Sequence, residues 1–254
     1  MKRLIVSFAM DRFSLGPLLE ADLEPVFWIP KRLGARSWWW GHVPFAHWLV
    51  ASLRPDLVVE LGTLNGVSFS AFCEAMRRDH IPGRCYAVDT WEGAESPGMM
   101  DDATFTELGD FCRNEFGGIA ELVRSTFDEA LANFSDASID LLHIDGPHSY
   151  DAIKEEFAKW LPRLSERGVV LLHDINLREV GFGVWKLWDE LKTAYPSFEL
   201  LHANGLGVIA VGQDVPKVIV DLQALTVQET YKLRERFALL GAHWEALDRF
   251  RGKL

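Results

Sequence analysis

From Leu57 onward, apolar positions fall into short runs separated by segments with helical spacing. Residues 57–61, 85–88, 120–123, 139–144 and 169–172 are apolar almost throughout. Parallel strands covered by helices on both faces have this character. Residues 65–78, 103–116, 128–133 and 150–164 carry helical patterning. Strands alternating with helices predict a parallel α/β sheet joined by right-handed crossovers. Residues 198–202 and 206–211 flank Asn204-Gly205, a strong hairpin signal, so the sheet is expected to end in an antiparallel pair.

The flanks differ. Pro17, Pro25 and Pro30 interrupt any long helix, so residues 1–36 are expected to be an extension with one short strand near 4–8. Pro44 suits the first turn of a helix running to about Leu53. Beyond residue 213 the alternation stops. Thr226 and Glu229 form a capping box, and Leu233, Phe237, Leu240, Trp244, Leu247 and Leu254 make a heptad-like seam. That seam suits a helix packed on its own domain, or one that forms a homo-oligomer or links to another module. The expected organisation is an extension (1–36), a main α/β domain (37–213) and a C-terminal helical segment (214–254).

Composition narrows the function. The chain has 254 residues, 48% hydrophobic and 25% charged, which is ordinary globular usage. Its net charge of −11 argues against a nucleic-acid partner, which needs a basic groove. Cys73, Cys85 and Cys112 form no CxxC pair, and so small a count suits a reducing cytoplasm. The apolar run 4–10 is cut at once by Asp11 and Arg12, which argues against a secretion signal, and no run is long enough to span a membrane.

The chemistry gathers where predicted strands end. Glu60-Leu-Gly62-Thr63-Leu-Asn65-Gly66 places an acid and two glycines at a strand-to-helix turn. Glycines let backbone approach a ligand closely, and a helix N-terminus offers free amides. The spacing is GxxxG, neither the dinucleotide GxGxxG nor a triphosphate loop. A carboxylate at Glu60 would repel a pyrophosphate but tolerate an ammonium or sulfonium, which points to S-adenosylmethionine; a purely structural turn is the other reading. Asp89 ends the next strand, where an acid can accept from ribose hydroxyls or cap a turn. Trp91 suits stacking on adenine or lining the pocket. Ser125 and Thr126 end the third strand, as an adenine-edge contact or as an N-cap.

Asp145-Gly-Pro-His148 and His173-Asp174-Ile-Asn176 end the next two strands. If those strands are neighbours, two carboxylates and an imidazole or amide converge, which suits Mg²⁺ or another divalent ion. Residues 91–110 read as a lid or a plain loop, and Trp38–Trp40 as a sugar-stacking platform or as core.

These motifs resemble class I S-adenosylmethionine-dependent methyltransferases over residues 37–212. More narrowly, Glu60-Leu-Gly-x-x-x-Gly66, Val88-Asp89, Ile144-Asp-Gly-x-His-Ser-Tyr150 and Gly168-Val-Val-Leu-Leu-His-Asp174 are similar to sugar and natural-product O-methyltransferases of the macrocin and cephalosporin-hydroxylase-like type. Trp39-x-x-His42-Val-Pro-Phe and Phe182-Gly-Val-Trp185 resemble a branch associated with bacterial glycosyltransferases.

The resemblance implies a Rossmann-like doubly wound seven-stranded sheet, mostly parallel, with a terminal hairpin. It implies that Glu60, Gly62 and Gly66, with the neighbouring Thr63, Asn65 and Ser68, meet the cofactor's amino-acid part. Asp89 with Thr90 and Trp91 would meet the ribose and adenine, as would Ser125, Thr126 and Asp145. Asp145 and Asp174 would hold the metal and His148 would be the base. Family members carry Glu where His173 stands, which makes His173 the third metal candidate and removes one negative ligand. The expected acceptor is a hydroxyl of a sugar in a glycan or glycosylated metabolite, with a glycosyltransferase as a partner. A catechol or phenol acceptor, or a non-catalytic cofactor-binding scaffold, are the alternatives.

Overall fold

The computed structural model describes residues 23–92 and 101–251; the strand expected near 4–8 and residues 93–100 of the expected lid lie outside them. Pro44 sits in the first turn of α1 (Val43–Leu53), which Arg54 closes in a left-handed conformation. The alternation then runs β1 (Leu57–Leu61), α2 (Val67–Arg78), β2 (Arg84–Asp89), α3 (Asp102–Phe116), β3 (Ala120–Arg124), α4 (Phe127–Ala130), β4 (Ile139–Ile144), α5 (Tyr150–Trp160), β5 (Leu164–His173) and α6 (Val184–Ala194). A hairpin of β6 (Ser197–Leu200) and β7 (Leu206–Ala210) precedes α7 (Lys217–Gln223) and α8 (Val227–Arg251).

The seven strands lie in the order β3-β2-β1-β4-β5-β7-β6. The first five are parallel, and β7 runs antiparallel to both β5 and β6. Each face of this sheet carries its own apolar layer. One combines Val58, Leu141 and Leu171 with α1, α2 and α8; the other combines Val59, Leu142 and Val170 with α5 and α6. Burial on both faces is the physical reason why these strands are apolar at nearly every position. The sequence places the helix after β4 at 150–164, but it stops at Trp160. Pro162, which cannot continue the helix, sits in a short 3-10 turn, and β5 begins at Leu164.

The C-terminal capping box forms: Thr226 Oγ1 donates to Glu229 Oε2 at 2.7 Å and accepts from Glu229 N at 3.3 Å. Leu233, Phe237 and Trp244 of the seam are buried, and Leu254 lies outside the described residues. Phe237 meets Phe45 edge-on with ring centroids 5.1 Å apart and tilts against Trp48 at 5.9 Å. Phe237 thus packs on α1 of its own chain, the first of the two readings of the seam. Residues 23–38 run across α2 and α3. Arg32 Nε donates to the Asn65 carbonyl at 3.0 Å and its guanidinium pairs with Glu107. The Lys31 amide donates to Glu74.

Candidate active site

The order 2-1-4-5 puts the carboxyl ends of β2, β1, β4 and β5 side by side. In doubly wound folds that edge is where ligands bind. Gly62 follows β1 with φ +83°, a conformation that favours glycine, and a Cβ there would overlap the carbonyl oxygen of Asp145. Gly62 N donates to Val88 O, and Asp145 N donates to Leu61 O at 2.9 Å. The turn is therefore sewn to the strands on both sides. Gly66 opens α2 at φ +76°, where a Cβ would meet Leu108 of α3.

Asp89 ties this turn to β2. Its Oδ2 accepts from Thr63 N at 2.8 Å and Leu64 N at 3.2 Å, and its Oδ1 accepts from Trp91 N at 2.9 Å. A carboxylate accepts about four hydrogen bonds, so acceptor capacity remains for a ribose hydroxyl. Thr63 Oγ1 is buried with no hydrogen-bond partner among the described residues. Asn65 Nδ2 donates to the Arg36 carbonyl. Thr90 Oγ1 accepts from Glu92 N, and Ser125 Oγ donates to Thr126 O. Thr126 is an N-cap: it forms a capping box with Glu129 at the start of α4.

Glu60, Ser68 and Trp91 are placed inward. Glu60 is 0% exposed, and its Oε2 sits 2.9 Å from His143 Nδ1 on the neighbouring strand. Burial raises its pKa, although His143 favours the ionised form. Ser68, expected beside it, is likewise buried in the first turn of α2. Trp91 is 1% exposed, donates from Nε1 to Leu64 O and packs on Phe105. The side chains of Glu60 and Trp91 are thus turned into the protein rather than laid open at the sheet edge. Trp38 is 55% exposed, but Trp39 and Trp40 are each 2% exposed, so two of the three tryptophans are core.

Beyond β4 and β5 the acids converge as their sequence positions suggested. Ligand atoms of Asp145, His148 and Asp174 all lie within 4.8 Å of one another. His148 Nε2 is 3.2 Å from Asp174 Oδ2. The backbone of Asp174 is left-handed at φ +62°. Asp174 Oδ1 is buried and accepts no hydrogen bond, with His173 Nδ1 3.4 Å away. Two carboxylates, an imidazole and an oxygen left without a donor are a donor set that fits a hard divalent cation.

His173 stands behind this group. Its Nδ1 is 3.2 Å from Asp145 Oδ1 and its Nε2 is 3.2 Å from the Ala203 carbonyl. Both partners only accept, so the ring carries a proton on each nitrogen and has no lone pair for a metal. His173, expected as the third ligand, therefore faces Asp145 with a bound proton, and the ring nearest both carboxylates is that of His148. Burial opposes the charge on His173, but Asp145 and Asp174 push its pKa up to about 9. Burial likewise opposes the charge on Asp145, yet His173 outweighs it and holds that carboxyl well below the usual carboxylate range.

The motifs along the chain leave out His143 and include Phe182 and the buried His42 only as branch markers. Phe182 lies 4.5 Å from the His148 ring, and Gly183 N donates to the His148 carbonyl at 2.6 Å. Their signal in the sequence was faint: a histidine inside an apolar strand, and an aromatic-glycine pair after β5.

A family model described as a methyltransferase domain matches residues 59–175. The chain is 40% identical over 246 residues to the uncharacterized protein y4gI of Sinorhizobium fredii. That match covers 95% of this chain and 26% of the relative, so the chain spans about a quarter of the relative's length. Among solved structures, the S-adenosylhomocysteine-bound methyltransferase of Podospora anserina has a TM-score of 0.51 at 16% identity, over 66% of this chain and 77% of that one. An O-methyltransferase of Bacillus cereus in complex with the same ligand has a TM-score of 0.50 at 14% identity, over 65% of this chain and 79% of that one. Cofactor-bound Rv0187 from MTB has a TM-score of 0.52 at 15% identity, over 82% of this chain and 94% of that one. The seven-stranded sheet with its antiparallel end is thus a Rossmann-like methyltransferase fold.

Proposed function

We propose that this chain is an S-adenosylmethionine-dependent O-methyltransferase acting on a hydroxyl of a sugar in a glycan or glycosylated metabolite. The observation that carries this is the convergence of Asp145, His148 and Asp174 at the sheet edge beside the glycine turn, on a methyltransferase fold. Bound S-adenosylmethionine supplies a methyl group already activated on sulfur, so the chain must align the acceptor and take its proton. Backbone at Gly62 and Gly66, the orphan Thr63 hydroxyl and the spare capacity of Asp89 are the features that would hold it. Alignment of this kind supplies about 7–11 kcal/mol in the best intramolecular cases.

Asp145 and Asp174 would hold a divalent cation, which makes a bound hydroxyl more acidic, as it does water. His148, whose Nε2 faces Asp174, would take the proton of the acceptor. The carboxylate orients the ring and favours its protonated form, in the manner of other carboxylate–histidine pairs. Phe182 fixes the ring plane from one side. A glycosyltransferase partner remains part of the proposal on the strength of the motifs around Trp39 and Phe182.

The test is calorimetry with S-adenosylhomocysteine, then methyl transfer to glycosides and to catechols with and without chelator. Binding and transfer to glycosides are the expected results. Transfer to catechols alone would replace the acceptor, and binding without transfer to any hydroxyl would leave a scaffold.

A further inference from the structure

The turn that leads into α1 carries chemistry the proposed reaction does not use. His42 is fully buried there. Its Nε2 lies 3.0 Å from the Ala203 carbonyl oxygen, the same oxygen that His173 Nε2 reaches at 3.2 Å. His202 returns the contact, with Nε2 2.9 Å from the Gly41 carbonyl. The His42 and His173 rings meet edge-on, 5.5 Å apart at 83°. There is little slack: a Cβ on Gly41 would stand 2.6 Å from Ala203 Cβ, and one on Gly241 of α8 would overlap the Gly41 carbonyl.

The tip of the β6–β7 hairpin is thus gripped from two sides. Residues 41–42 hold one side. On the other, Asn176 N donates to Asn204 O at 2.8 Å and Asn176 Nδ2 donates to Leu201 O at 3.1 Å. Within this grip Asp174, Ala203 and Asn204 are left-handed without being glycine, at φ 62°, 47° and 68°. Such backbone persists where the surroundings over-determine it, and it gathers at functional sites. A carbonyl only accepts, so His42 and His173 must each present N–H at Nε2. That leaves Nδ1 of His173 aimed at Asp145.

We propose that His42 is a positioning residue of the acid centre: through the carbonyl of Ala203 it holds His173 in the orientation in which Nδ1 meets Asp145. The proposal rests on Asp145, His148 and Asp174 being the reacting centre. A histidine that merely filled space could be exchanged for another ring. One that fixes Ala203 needs its donor.

The test uses the full chain labelled with ¹⁵N-histidine, with solvent exchange of both ring N–H groups of His173 read by NMR. His42→Phe keeps a ring and removes the donor, and His42→Gln restores a donor. Phe237→Ala loosens the same helical layer without touching these contacts. Loss of one hydrogen bond at the grip is expected to speed exchange of both His173 protons by about fivefold in His42→Phe, while His42→Gln stays within about twofold of the parent. Phe237→Ala is expected to lower Tm without this selective change.

Equal exchange in the Phe and Gln variants would overturn the proposal, as would acceleration at Nε2 alone. The unsubstituted chain is a second test in case His42→Phe does not fold: its ¹⁵N shifts must show His42 with the proton on Nε2, and the opposite tautomer overturns the proposal. Calorimetry with S-adenosylhomocysteine reads the function separately. No heat there would overturn the methyltransferase assignment and leave the histidine spectra as they are.

Discussion

A methyl group at Gly62 would collide with the carbonyl oxygen of Asp145, and the φ of +83° would strain any side chain there. Gly62→Ala is therefore expected to cost about 2–4 kcal/mol in urea unfolding, from a left-handed backbone plus an overpacked contact. Its effect should reach the acid centre, since the displaced atom belongs to Asp145. At His148 the expectation is the reverse: little change in stability, because the ring is half-exposed, and loss of chemistry. His148→Ala should keep S-adenosylhomocysteine affinity and lose about 10²–10⁴-fold in transfer rate. Unchanged turnover in that variant would remove His148 from the proposed scheme.

At the scale of single elements, α5 and α8 make opposite use of burial. Glu156 sits on the buried face of α5, and burial pushes its pKa up to about 7, helped by the charge of Asp128. Its folded pKa lies above that of the unfolded chain, so the folded state holds the proton more tightly. Glu156 in its neutral form suits the fold at low pH, and stability falls as pH rises from about 4.5 through about 7. Glu156→Gln is expected to remove that loss. The variant should match the parent below pH 4.5 and exceed it by roughly 2–3 kcal/mol above pH 7 in paired denaturation curves. In α8 the buried groups are apolar. Phe237→Ala should cost about 3–5 kcal/mol, because Phe45 and Trp48 lose their facing ring. A change in sedimentation accompanying that loss would argue that the seam serves a second copy instead.

Over the whole molecule, the glycine turn and the loop after β4 belong to one surface although some eighty residues separate them in the chain. They are joined by the Gly62–Asp145 contact and by the pairing of β1 with β4. Binding of S-adenosylhomocysteine is expected to slow amide exchange at 62–66 and 145–149 together, with α8 unaffected. Protection confined to one of the two segments would separate them into different sites. No helix among the described residues is long and apolar enough to cross a membrane.

Much of this was legible along the chain because it is local. Apolar runs bounded by glycine, Asn204-Gly205 between two strands, and Thr226 three residues before Glu229 each fix their own element through sterics or hydrogen bonds within reach. The carboxylates at Asp145 and Asp174 could be placed near each other as soon as their strands were taken as neighbours. Local pattern could not show that Glu60 turns inward to His143, or that Trp91 is core, because both depend on which strand or helix lies opposite. Nor could it separate His148 from His173. The two rings differ in what faces them: Asp174 for one, and Asp145 with the Ala203 carbonyl for the other. The sequence determined the order of elements and the chemistry available at their ends. The packing of the 3-10 turn Trp40–His42, the hairpin tip and β5 against one another decided what each of those histidines and carboxylates faces.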